Sequence, residues 1–110
     1  MDRFDLCHYT NVRGEDLFGR WLSSIKDIRA LASIAARLTR LSNGNFGDCK
    51  FVGQGVWELR VHLGEGWRIY YGIQDEQLIV LCAGGTKSGQ QKDITTAIQR
   101  WTDWTARKKS

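Results

Sequence analysis

Apolar residues recur at three and four over residues 15–25, where Leu17, Phe18, Trp21, Leu22 and Ile25 fall on one helical face. A second stripe, Ile28, Leu31, Ile34, Ala35, Leu38 and Leu41, turns Arg29, Arg37 and Arg40 mostly elsewhere, and Asn43-Gly44 supplies the left-handed stop expected past a helix end. The period then changes. Residues 56–63, 67–73 and 77–83 are rich in β-branched and aromatic side chains and read as three strands, with Phe51-Val52 a short edge piece before them. Residues 78–83 are apolar throughout, as befits a strand covered on both faces, and Gly84-Gly85 is expected to end the sheet. Residues 4–10 alternate loosely and read as a first strand, followed by a turn over 11–14. Ser88 with Gln91 matches a capping box, after which Ile94, Ile98 and Trp101 form the inward face of a last helix. The order β, α, α, a meander of three or four strands, then α, without repeat or linker, predicts one α+β domain over residues 1–110. The first two helices should form an antiparallel hairpin whose apolar faces the sheet covers.

The stretch LRVHLGEGWRIYY places charge inside this sheet. If Gly64-Glu65-Gly66 is a three-residue loop with Gly66 left-handed, Leu63 faces Trp67, His62 faces Arg68, Val61 faces Ile69, Arg60 faces Tyr70 and Leu59 faces Tyr71. One side then carries Leu59, Val61, Leu63, Trp67, Ile69 and Tyr71 and packs on the helices. The other gathers Glu58, Arg60, His62, Arg68 and Tyr70. Two readings of that second side stand open: a solvated outer face with Glu58 pairing an arginine, or a concave phosphate site made of two guanidinium forks and a tyrosine.

Composition narrows the classes. One hundred and ten residues with 42% hydrophobic content can bury a core without disulfides or metal. Sixteen Lys and Arg against twelve Asp and Glu give a net charge of +4, which suits nucleic acid or an acidic protein partner. Cys7, Cys49 and Cys82 are odd in number with no C-x-x-C pair, so neither a disulfide framework nor a zinc site is indicated. MDRFDLCHY lacks the apolar core of a signal peptide and no apolar run reaches the ~20 residues that span a bilayer, so a cytoplasmic location away from membranes is expected. The G-E-G and G-G pieces lack the strand-then-helix setting of a nucleotide loop, and no cofactor or metal is expected. His8, Trp101 and Trp104 read as structural, and residues 107–109 as a mobile basic tail.

The motifs GNFGD-x-K, E-L-R, aromatic-Arg-x-Tyr-Tyr and G-G-x-K-S-x-Q occur in the order and spacing of the RelE/ParE superfamily, and nearly the whole chain resembles its HigB-like addiction-module killer proteins. The resemblance implies a RelE-like fold: a twisted antiparallel sheet, two N-terminal helices on one face and a C-terminal helix. It also implies a toxin of a toxin-antitoxin module, neutralised by a helix-turn-helix, HigA-like antitoxin. Many relatives cleave mRNA on the ribosome, whereas ParE relatives poison DNA gyrase; the fold serves both, and a non-catalytic binding module is a third possibility. Onto the endoribonuclease pattern fall Arg60, Arg68 and Lys87, with Lys50 and Lys92 as RNA-binding positions. RNA cleavage without metal has the 2′-hydroxyl attack its own phosphate; arginines then act as clamps rather than proton carriers. His62 is the candidate base on that side, and Tyr70 the candidate to stack on a base or lend its hydroxyl.

Overall fold

Two aspartates open the N-terminal helices in the computed structural model, which describes residues 3–108. Asp16 accepts from Gly19 N at 2.8 Å and starts α1 (Leu17–Ser24). Asp27 accepts from Arg29 N at 3.0 Å and Ala30 N at 3.2 Å and starts α2 (Ile28–Ser42). α2 ends as the sequence predicts, with Gly44 left-handed at φ 85°. Gly44 N donates to Leu41 O and Asn45 N to Arg40 O, the paired bonds of a Schellman stop.

Five strands build the sheet: β1 (Asp5–His8), β2 (Cys49–Gly53), β3 (Val56–Val61), β4 (Trp67–Gln74) and β5 (Leu78–Thr86). Their order is β1-β5-β4-β3-β2. The run from β2 to β5 is the antiparallel meander read from the sequence, but β1 pairs with β5 in parallel, so the sheet is mixed rather than wholly antiparallel. The two helices between β1 and the meander supply the long connection that carries the chain from one edge strand, β1, to the opposite edge strand, β2. Phe18, Ile34 and Leu41 from α1 and α2 pack on Leu59, Val61, Ile69, Tyr71, Ile79 and Leu81, the alternation predicted for that face. The last helix, α3 (Gln90–Lys108), covers the opposite face, where Ala97 and Trp104 pack on Val56, Tyr70, Val80, Cys82 and Ala83. Much of the side opposite α1 and α2 is therefore covered, not solvated.

Three local readings change. β5 runs through Gly84 and Gly85 to Thr86, because these glycines serve close approach rather than a turn: a β-carbon on Gly84 would overlap the Trp21 ring and one on Gly85 the Asp93 carboxylate. Ser88 does not cap α3; its hydroxyl lies 3.0 Å from that of Thr86, and a 3-10 turn over Lys87–Gly89 precedes the helix. Arg107 is no mobile tail, for it bonds Asp103 at 2.9 Å and the Thr10 carbonyl and lies over the rings of Tyr9 and Trp104. Lys109 lies outside the described residues.

α3 is held at both ends. At its far end Tyr9 OH donates to Asp103 at 2.6 Å. At its start Gln90 Nε2 donates at 2.7 Å to Glu58, the buried charged side chain among the described residues, 0% exposed. Glu58 also accepts from Arg60 Nε at 3.0 Å and Tyr70 OH at 3.1 Å. Burial by itself raises the Glu58 carboxyl, but the bonds from Arg60, Gln90 and Tyr70 and the charge on Arg68 outweigh it and hold the group below its usual value.

Gly84→Ala should cost about 1–3 kcal/mol, read as a lower urea midpoint with unchanged slope, since the Trp21 ring must give way. Wild-type stability would show that the contact has slack. The lowered Glu58 pKa carries a sign: its stabilisation is complete above the unfolded carboxyl value of ~4.3 and fades as pH falls through the lower folded value. Glu58→Gln should thus destabilise by about 1–3 kcal/mol near neutrality, with a gap from wild type that closes in acid. A gap independent of pH in urea titrations would contradict the ionised state.

Candidate functional site

The hairpin joining β3 and β4 differs from the expected three-residue loop. Leu63 N bonds back to Val61 O at 3.1 Å, so the chain leaves the ladder directly after Val61, and residues 62–66 all lie in the connection. Gly64 and Gly66 are both left-handed, at φ 56° and 83°. The register moves by two: Leu59 faces Ile69, Val61 faces Trp67, and Arg60 faces Arg68 instead of Tyr70. A shift of two leaves every side chain on the face the sequence assigned it, so the segregation survives while the partners change.

The change matters for charge. Two guanidinium-bearing residues now stand directly across from each other, where like charges repel. Glu58 offsets this from below by fixing Arg60 Nε, and Asp48 Oδ1 lies 4.0 Å from Arg60 on the outer side. Arg68 Nε is buried and has no hydrogen-bond partner. The Arg68 side chain also lines a solvent groove, and with Arg60 it gives that lining the positive charge and planar donors that suit an anion.

Lys87 is brought to the same place by the turn before α3: its backbone N donates to Gly66 O at 2.9 Å and ties that turn to the hairpin loop. Arg60, His62, Arg68 and Lys87 thereby line one open groove of about 620 Å³, floored by residues 63–66. The four candidates read from the sequence thus share one groove. The other three expected positions fall outside that lining. Lys50 is exposed on β2 opposite Glu58, within a strand of Arg60, and Lys92 is exposed on the first turn of α3. Tyr70 must be corrected: at 0% exposure it offers no ring face to a base. Burial first, and then the Glu58 carboxylate, push its hydroxyl well above the ordinary tyrosine value, so it serves as a fixed donor to Glu58.

His62 Nε2 lies 2.5 Å from Asp48 Oδ2. His8 contacts Asp16 at 2.9 Å and stacks edge-on to Phe18, joining β1 to α1 as a structural residue. Trp104 is buried and Trp101 lies against Gly55 and Gly72, which fits the core role read for both. Asp48 and Gln90, not picked out from the sequence, sit inside GNFGD-x-K and G-G-x-K-S-x-Q, so the signal was present in segments quoted for other residues. Among the described residues no group of three His, Cys, Asp or Glu side chains gathers as metal ligands, and no helix is long and apolar enough to cross a membrane.

Residues 20–102 match the family described as Phage derived protein Gp49-like (DUF891). A Haemophilus influenzae protein, described as an uncharacterized protein, is 50% identical over 80 residues, covering 73% of this chain and 81% of the relative. The family match takes in the end of α1, α2, the meander, the groove and most of α3. A cognate antitoxin is the partner such membership implies. The chain therefore belongs to the phage-derived Gp49-like family, a RelE/ParE-like toxin family of toxin-antitoxin modules.

Proposed function

We propose that this chain is the HigB-like toxin of a type II module and arrests translation as a ribosome-dependent, metal-independent mRNA endonuclease. The observation that carries the reading is the facing pair Arg60 and Arg68, with Lys87 tied beside them on one open groove. An RNA backbone phosphate meets those guanidinium donors and that concentration of positive charge.

In this reading Arg60 and Arg68 grip the scissile phosphate and stabilise the extra negative charge of its five-coordinate transition state. Lys87 adds a third positive charge. Glu58 holds Arg60 in place without touching RNA, because it is buried beneath the guanidinium. Lys50 and Lys92 attract the flanking backbone through the same nonspecific electrostatics that bind any polyanion. The neutralising partner is a helix-turn-helix, HigA-like antitoxin, and the site of action is the cytoplasm.

Arg68→Ala should lower cleavage by about 10²–10³-fold, the cost of losing one transition-state donor, and should relieve growth arrest. Mapping transcript ends in translating and non-translating extracts checks it: wild type should produce new ends only where ribosomes translate. Toxicity with intact transcripts and induced DNA damage would instead support a gyrase-directed toxin. Harmless overexpression without antitoxin would support a non-catalytic binding module.

A further inference from the structure

His62 and Asp48 meet at the mouth of the groove, and neither position is accidental. The carbonyl of Asp48 accepts from Arg60 N at 3.0 Å, so sheet pairing fixes where the Asp48 side chain starts. Its Oδ2 then holds His62 Nε2 at 2.5 Å, while Oδ1 faces Arg60 at 4.0 Å. The His62 side chain remains 72% exposed and lines the groove beside Arg60, Arg68 and Lys87. When a carboxylate takes the proton on one ring nitrogen, the other keeps its lone pair and becomes an acceptor. With the Asp48 carboxylate ionised, Nε2 must carry the proton between them, which leaves Nδ1 as the nitrogen that can accept one.

We infer that Asp48 and His62 form the proton-transfer pair of RNA cleavage, with His62 Nδ1 the catalytic base for the 2′-hydroxyl and Asp48 the residue that positions it. This rests on the endonuclease reading above and supplies the one role the arginines cannot fill. The 2′-oxygen bonds to phosphorus as its proton passes to Nδ1. The bond from phosphorus to the 5′-oxygen then breaks, and that oxygen takes a proton from water. The products are a 2′,3′-cyclic phosphate and a 5′-hydroxyl, and the imidazolium returns its proton to solvent.

Asp48 is the close contact of the His62 ring, so it stabilises the charge that develops as the base accepts its proton. Its own carboxyl is held below the ordinary range by the bond from His62, with help from the charges of Arg60 and Arg37, against the opposing effect of burial.

Single-turnover cleavage on programmed ribosomes, followed from about pH 5.5 to 8.5, tests the pair. Asp48→Asn should lower kcat by at least about tenfold, leave KM within about twofold and move the acid limb of the profile to lower pH. His62→Gln should lower kcat by roughly 100-fold or more and erase that limb, whereas Asp48→Glu should retain it. Wild-type kcat and pH profile in Asp48→Asn, or a loss confined to KM, would overturn the pair while leaving the endonuclease reading intact. Absence of cleavage by wild type would remove the endonuclease reading itself, and this inference with it.

Discussion

Everything that the groove can do depends on one buried carboxylate. Glu58 lies under the sheet surface at the junction of β3, β4 and the start of α3, and it accepts a bond from each through Arg60, Tyr70 and Gln90. An ion taken out of water is costly unless paired and hydrogen-bonded, and here the pairing is complete enough to keep the group ionised. The same contact that offsets burial therefore aims Arg60, restrains the first turn of α3 and lets two arginines face each other. Without an anion beneath them, Arg60 and Arg68 would repel into different rotamers and the groove would lose its charge pattern.

This arrangement explains why α3 and the hairpin behave as one unit. The hairpin loop reaches α3 through Gly66 and Lys87, the sheet reaches it through Glu58 and Gln90, and the far end is held by Tyr9, Asp103 and Arg107. The charged groups of Arg60, Arg68 and Lys87, drawn from β3, β4 and the turn before α3, thus sit on rigid elements rather than on free loops, which is what preorganised charge stabilisation requires.

Much of this was legible in residue order, and the failures have physical causes. The period of α2, its Asn43-Gly44 stop and the two-faced alternation of β3 and β4 are local signals, and each appears in the structure. The hairpin register was not local. Both registers keep Leu59, Val61 and Ile69 on one face, so alternation cannot separate them; the Leu63–Val61 backbone bond and the Gly66–Lys87 bond decide it. Gly84-Gly85 read as an ending because a glycine pair is the usual sign of a turn, yet the ring pressed against Gly84 comes from Trp21, far along the chain, and the carboxylate against Gly85 from Asp93 on the next helix. Tyr70 and Glu58 read as outward because nothing in their own strands announces that α3 will cover them. Arg60, Arg68 and Lys87 stand in three motifs of the resemblance and His62 on the polar alternation of the hairpin, while Asp48 and Gln90 needed the side-chain bonds to be seen.

A cryo-electron microscopy structure of the chain on a ribosome programmed with mRNA, its cleavage blocked by a 2′-O-methyl group, tests the central claim most directly. The account predicts one backbone phosphate held between the guanidinium groups of Arg60 and Arg68, with Lys87 alongside. Messenger RNA bound elsewhere on the chain, or a groove facing solvent while the ribosome is engaged, would contradict it.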